Sequence, residues 1–461
     1  MRKEKDSLGV VDVPKNAYFG AFTVRARHNF KISDLEAPRS FKDALVLVKM
    51  AAAITNGKLK TITKKQEKAI VEACGEFIEG KFDDEFYIDV FQAGAGTSYN
   101  MNANEVLANR ANEILGGTKG KYEHVHPNNH VNNAQSTNDV IPTASRIATL
   151  FVLPPLLQEI AALEDELAKL AKKHAKDVKV GRTHFQDAVP ITFGQEFDGY
   201  REAFKKAREQ IVQQSAQLQE VGIGGTAVGT GINTHPDYKK TMVQNLSEIT
   251  GISFHSGKSL TEMANNMNAF MNVSAAIRAL ATTILNFCND LKLLSMGPKA
   301  GIAELTLPSV QPGSSIMPGK INPSVPECLE MIAFQMLGND HTIAAAAQRS
   351  QFELNVFCPI IMFNLIQSIE IATNGLRTLR EFAIEDLEVN TAHAKSLLDN
   401  SLATATALAP HIGYLETSDV VKTALRESRS IKEEVQRRKL LDPKQLETIL
   451  SPEATTKPKK G

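Results

Sequence analysis

Three things are scarce in this 461-residue sequence: net charge, paired cysteines and long apolar runs. Lysine plus arginine number 52 and aspartate plus glutamate also 52, so the formal net charge is zero. Nucleic-acid and acidic-membrane partners usually require a basic excess, and neither is expected. The four cysteines, Cys74, Cys288, Cys328 and Cys358, are far apart and form no CxxC or Cys/His spacing. They read as reduced core residues of a cytoplasmic protein, with no metal site and no cofactor expected. The longest uncharged apolar run, residues 354–369, holds Pro359, two Asn, a Gln and a Ser. It falls short of the about 20 apolar residues of a membrane span. Residues 1–6 carry charges with no apolar stretch behind them, so no signal peptide is expected.

What is present fits an ordinary globular protein, with 43% hydrophobic and 23% charged residues. The length argues for about two to four domains. Leu156, Ile160, Leu163, Leu167 and Leu170 advance by alternating fours and threes, the seam of a long packed helix. Phe204, Ile211 and Leu218 repeat every seventh position, as in helices lying side by side in a bundle. Further helices are predicted over about 260–296, 324–347 and 359–384. Strand-like alternation is confined to short pieces such as Tyr87–Val90. Thr417–Asp419 and Asp442-Pro443 read as helix starts near the C-terminus, and residues 452–461 as a disordered tail. Glycine-rich loops at 92–97, 222–231 and 297–319 are long for connectors, which makes them functional suspects.

Four loops could carry chemistry. In Gly313-Ser-Ser-Ile-Met-Pro-Gly-Lys-Ile-Asn-Pro323, Lys320 and Asn322 could hold a carboxylate while Ser314 acts on the bound molecule. A serine is a poor base unless backbone N–H groups or a cation stabilise its alkoxide. From composition alone, a surface turn of small residues is the stronger reading of this loop. In Gly181-Arg-Thr-His-Phe-Gln-Asp187, His184 could bind an anion or relay protons. Gln135-Ser-Thr-Asn-Asp139 could cap a helix beginning near Pro142, or grip a small anion at that N-terminus. Residues 94–102 form a fourth small, polar loop. GIGGTAVGTG at 222–231 lacks the spacing and the βαβ setting of a dinucleotide site.

Residues 313–322 resemble the GSSxMPxKxN signature of the fumarase/aspartase superfamily. GAGTSYNMNANE at 94–105, QSTND at 135–139, GRTHFQDAVP at 181–190 and GTAVGTG at 225–231 match its other segments in order. The resemblance implies a mainly α, three-domain fold whose central long helices form a 20-helix tetramer core. It divides the chain as 1–137, 138–392 and 393–461. It also implies active sites shared by three subunits of a homotetramer, a dicarboxylate substrate, and reversible β-elimination giving fumarate. Carried onto this chain, Ser314 is the base. Thr97, Ser136, Thr137 and Ser315 hold the carboxylate that becomes an aci-carboxylate. Thr183, Lys320 and Asn322 bind the other carboxylate, and Asn100 lies in the same substrate-binding set. Asn138 and His184 orient substrate and leaving group, with Glu327 hydrogen-bonded to His184.

Within the superfamily, Thr137, Ala95, Val189 and Gln311 are similar to the aspartase pattern, which implies L-aspartate as substrate. Residues 126–130 and 352–357 lean toward class II fumarases. Arg349 and Cys358 depart from the aspartase pattern. A non-catalytic structural protein of the same fold, as among lens crystallins, would be marked by loss of Ser314, Lys320, Asn322 or His184. All four are present.

Overall fold

A computed structural model describes residues 1–458 of the chain. The architecture is mainly helical, with long helices at Thr137–Lys173, Phe193–Ser215, Asn268–Leu294, Ser324–Ala347 and Cys358–Leu379. The leucine seam is real: Leu156, Ile160, Leu163 and Leu167 are all at 0% exposure on one face of Thr137–Lys173. Phe204 and Ile211 are buried in the same way, but the α-helix ends at Ser215 and Leu218 sits in a 3-10 turn.

Several boundaries differ from the sequence expectation. The helix expected near Pro142 starts five residues earlier, at Thr137, because Ser136 and Asp139 cap it there. Pro142 is accommodated inside the helix. Tyr87–Val90 is not a strand. The Asp89 carboxylate takes the N–H groups of Ile32, Ser33 and Phe91, leaving a single antiparallel bridge between Glu36 and Asp89. Near the C-terminus one helix begins at Tyr414, so Thr417–Asp419 lies within it, whereas Asp442 does precede a helix with Pro443 in its first turn. Part of the expected tail, Pro452–Thr455, is a short helix capped by the Ser451 hydroxyl, and residues 459–461 lie outside the described residues. Among the described residues every sheet is two-stranded, and one of them pairs Val178–Thr183 with Gln186–Thr192.

The chain separates into two compact units, each assembled from distant stretches. One comprises Met1–Leu157, Glu209–Ala279 and Phe334–Ala372, and the other Gln158–Arg208, Leu280–Ala333 and Thr373–Gly461. In the first, helix Arg39–Lys58 buries Phe41, Leu45, Val46 and Val48 completely, together with the cation Lys49. In the second, Leu408, Val420, Ala424, Ile431, Val435 and Leu446 close a small core of their own. Thr137–Lys173 and Asn268–Leu294 are long and apolar enough to cross a membrane by length and composition alone. Of their most apolar windows, 67% and 50% respectively is already buried within the chain.

Candidate active site

In the first unit, the chain enters helix Thr97–Ile114 through a turn at Gly94–Gly96. Ala95 and Gly96 are left-handed there, at φ of 61° and 83°. A Cβ on Gly96 would stand 3.1 Å from the Ile141 side chain, so glycine lets the turn sit directly on the neighbouring helix. Thr97 opens the helix, half-buried, and Asn100 is buried one turn on. The Asn100 amide donates to Asn132 Oδ1 at 3.1 Å and to Thr137 Oγ1 at 3.4 Å.

Ser136 is the residue before helix Thr137–Lys173. Its hydroxyl accepts from the Asn138 N–H at 3.2 Å, and Asp139 Oδ1 accepts from the Ser136 N–H at 2.9 Å, a reciprocal cap. Ser136, Thr137 and Asn138 therefore stand at a helix N-terminus, where free N–H groups and the helix dipole favour an anion. The Asn138 amide donates to the Ala227 carbonyl at 2.8 Å, which ties this terminus to the 222–231 loop. Asp139 fastens the same loop from below, with Oδ2 accepting from the N–H groups of Gly224 and Thr226.

Two buried ionic groups hold these residues: Asp139, which closes the 135–139 run read from the sequence, and Lys49, which was not singled out there. Burial pushes the Asp139 carboxyl up to about 6, against the pull of three backbone N–H groups and the Lys49 charge. Burial pushes Lys49 down to about 7, with the Asp139 charge working the other way. The Lys49 ammonium donates to Asn100 Oδ1 at 2.6 Å, Asn132 Oδ1 at 2.9 Å and Gln135 Oε1 at 3.0 Å. Three side-chain carbonyls are thereby turned inward, and the Asn100 amide is left to face Thr137. A cleft of about 650 Å³ opens over this network, lined by Asn100, Asn132, Gln135, Ser136 and Thr137 among others. Thr97 and Arg349 are not among its lining residues.

In the second unit, Thr183 and His184 stand at the tip of the Val178–Thr183/Gln186–Thr192 hairpin. Thr183 pairs with Gln186, leaving a two-residue turn of His184 and Phe185 with φ of 55° and 57°. Such turns favour Asn or Gly at both positions, so a histidine and a phenylalanine there hold local strain. Both side chains are exposed, Phe185 to 79%. Just below the turn the hairpin is held by charge: Arg182 makes a two-pronged bond to Glu304 at 3.0 and 2.8 Å. Burial opposes the Arg182 charge, but Glu304 outweighs it and raises the pKa.

The 313–323 loop closes on itself. The Asn322 amide donates to the Gly313 carbonyl at 2.6 Å, and a Cβ on Gly313 would meet the Lys320 carbonyl at 2.2 Å, so only glycine fits. Ser314 Oγ accepts from the N–H groups of Ile316 at 3.2 Å and Met317 at 3.0 Å. Those are the donors an alkoxide at this oxygen would need. Ser315, Lys320 and Glu327 are exposed, and the Lys320 ammonium makes no ion pair among the described residues. The implied His184–Glu327 bond is not formed within the chain: among the described residues neither side chain bonds the other. Also among the described residues, no group of three His, Cys, Asp or Glu could hold a metal. Cys358 is buried, with its sulfur 3.5 Å from Ser145 Oγ.

Each segment by itself offers donors suited to an anion: free N–H groups and hydroxyls at the Thr137 helix terminus, and hydroxyl, cation and amide in the 313–323 loop. The chain belongs to the lyase family, which matches residues 9–338, with a fumarase C C-terminus at residues 405–457. It is 42% identical to the aspartate ammonia-lyase of Bacillus subtilis over 457 residues, covering 99% of this chain and 96% of that protein. It is also 43% identical to a class II fumarate hydratase of Brucella suis over 438 residues, 94% of each chain. Among solved structures, a fumarate lyase:delta crystallin of Brucella melitensis superposes with a TM-score of 0.95 at 40% identity, covering 98% of each chain. A class II fumarase of Schistosoma mansoni gives 0.94 at 35% identity, again over 98% of each.

Proposed function

We propose that this carbon–nitrogen lyase catalyses the reversible elimination of ammonia from L-aspartate to give fumarate. The observation that carries the reading is Ser314 Oγ, placed by two backbone N–H donors in a loop with Lys320 and Asn322. The full-length aspartate ammonia-lyase relatives supply the substrate.

In this account Ser314 removes a proton from Cβ, and the electron pair moves into the adjacent carboxylate as an aci-carboxylate. Thr97, Ser136, Thr137 and Ser315 donate to that group, whose charge grows in the transition state. The helix N-terminus at Thr137 strengthens the same interaction. Thr183, Lys320 and Asn322 hold the second carboxylate, and Asn100 keeps Thr137 in register. Collapse of the intermediate expels ammonia from Cα, with Asn138 and His184 orienting the leaving group and Glu327 completing the His184 hydrogen bond.

The active species in this reading is a cytoplasmic homotetramer whose sites draw on three subunits. Support comes from groups the single chain leaves open: His184, Phe185, Ser315, Lys320 and Glu327 are all exposed. Along Ser324–Ala347, Glu327, Met331, Phe334, Gly338, His341 and Ala345 are exposed and recur by fours and threes, with exposed Gln335 and Thr342 beside them. Met331 and Phe334 are 64% and 59% exposed, an unburied seam of the kind that packs on another helix. The division at 137/138 and 392/393 belongs to the same reading, and the closed core of residues 405–449 supports its last segment.

The Brucella suis relative favours a second reading, class II fumarate hydratase. An absorbance assay of fumarate formation with L-aspartate and L-malate side by side decides. Rapid turnover of aspartate with little from malate is expected, and faster turnover of malate reverses the assignment.

A further inference from the structure

The second unit contains a buried charge lattice for which the reaction, as described, has no use. Glu304 is at 0% exposure. Its carboxylate takes both prongs of Arg182 and also lies 3.1 Å from the Lys179 ammonium. Lys179 is buried too, and divides its bonds between Glu304 and the two Glu196 oxygens, each at 2.8 Å. Two cations thus face two carboxylates, and Asp290 acts on Glu196 as a further negative charge. A buried carboxylate with two cationic partners is costly to desolvate, and replacing such groups with apolar ones is often neutral or stabilising. Stability alone therefore does not account for this arrangement.

Its place in the chain suggests another role. Arg182 directly precedes Thr183 and His184, so the Glu304 carboxylate fixes the base of their strained turn. The Glu304 backbone is fixed separately: its carbonyl accepts from the Asn390 N–H at 2.9 Å, and Leu305–Thr306 then pairs with Glu388–Val389. From that pair the chain runs into the loop that bears Ser314. One residue therefore holds the hairpin through its side chain and the start of the base-bearing loop through its main chain.

We propose that Glu304 is a positioning residue that serves both segments, setting the Thr183–His184 turn and the origin of the Ser314 loop against one common point. The proposal rests on the roles given to Ser314, Thr183 and His184 above. Where sites are shared between subunits, each Glu304 would act on two of them at once.

The test uses the full-length enzyme and compares Glu304→Gln, Glu304→Asp and Arg182→Lys with Ser314→Ala, recording kcat, KM for L-aspartate and melting temperature. Glu304→Gln keeps the shape but loses the charge that grips Arg182. A displacement near 1 Å at a reacting group costs on the order of 10²-fold, so kcat per folded molecule should fall about 10–100-fold. KM should rise as well, because Thr183 moves. Glu304→Asp keeps the charge and should recover part of the loss, which a merely structural role would not produce. Glu304→Gln that folds and keeps kcat within about twofold overturns the proposal, even with Ser314→Ala inactive. If Glu304→Gln fails to fold, Arg182→Lys decides, since it keeps the charge but loses the two-pronged geometry. A drop in kcat supports the proposal, and an unchanged kcat overturns it. If Ser314→Ala itself stays active, the site assignment falls, and the proposal falls with it.

Discussion

The candidate residues of the two units are held in opposite ways. The clamp around Asn100, Ser136 and Thr137 rests on buried charge, with Lys49 and Asp139 both out of water and each bonded to several partners. The Ser314 loop and the His184 turn are exposed and held largely by local backbone geometry. A group that recognises a carboxylate gains from rigidity, because its donors must already point at the charge when it forms. The Ser314 and His184 segments instead stay largely open to solvent in the single chain, which is where the subunits of the proposed tetramer would meet them. Local stability is lowest where few groups are buried, and functional segments are commonly drawn from such regions.

Substitutions on each side should separate the two designs. The largest effect is expected from Ser314→Ala, which removes the proposed base while leaving the residues around Asn100, Ser136 and Thr137 intact. The kcat should fall by about 10²–10⁴-fold, as for other positioned proton-transfer groups. Stability should change by less than about 0.5 kcal/mol, because the loop is exposed. A large drop in melting temperature with normal kcat per folded molecule would instead make the loop a structural turn.

Lys49→Met should behave in the reverse sense. It leaves the side-chain carbonyl oxygens of Asn100 and Gln135 without their buried donor, and Asn132 with the Asn100 amide alone, at about 1–3 kcal/mol of stability. With Asn100 freed, KM for L-aspartate should rise more than kcat falls. Urea titration with steady-state kinetics would check both, and unchanged stability would remove Lys49 from the support of the clamp.

A third test is a pH slope. The unfolded chain keeps Lys49 protonated to near 10.5, while the folded form releases that proton at about 7. Between those values the unfolded state binds more protons, so this residue makes stability rise with pH. Asp139 acts oppositely: with its pKa raised from 3.8 to about 6, it makes stability fall as pH climbs through that window. Melting temperatures measured from pH 7 to 10 should show the parent gaining on Lys49→Met. Parallel curves would contradict the assignment.

The contrast also explains what the sequence could and could not disclose. Ser314, Lys320, Asn322, Thr183, His184 and the 135–139 run are contiguous, so their motifs are legible without a fold. Lys49 was missed although it had a signal, a single cation inside the apolar run Leu45-Val-Leu-Val-Lys-Met-Ala-Ala-Ala53. Its three partners come from two other segments, and only folding brings them to it. Glu304 and Arg182 are 122 positions apart and could not be paired by spacing. The long helices were legible from their seams. Their ends were not, since the start at Thr137 depends on a cap whose acid, Asp139, also serves a loop some 85 residues away. The hairpin at 178–192 was invisible because its turn is made by His-Phe, not by the Asn-Gly or Asp-Gly pair that marks such turns.

In the proposed homotetramer a complete site forms only between chains. Ser314→Ala and Thr183→Ala, each inactive alone, can be unfolded, mixed in equal amounts and refolded together. If each site takes its hairpin and its loop from different subunits, about one quarter of the sites in random hybrids receive both intact segments, and activity should return toward that fraction. If each site is built within one chain, every site carries one lesion, and the mixture should stay as inactive as its parents.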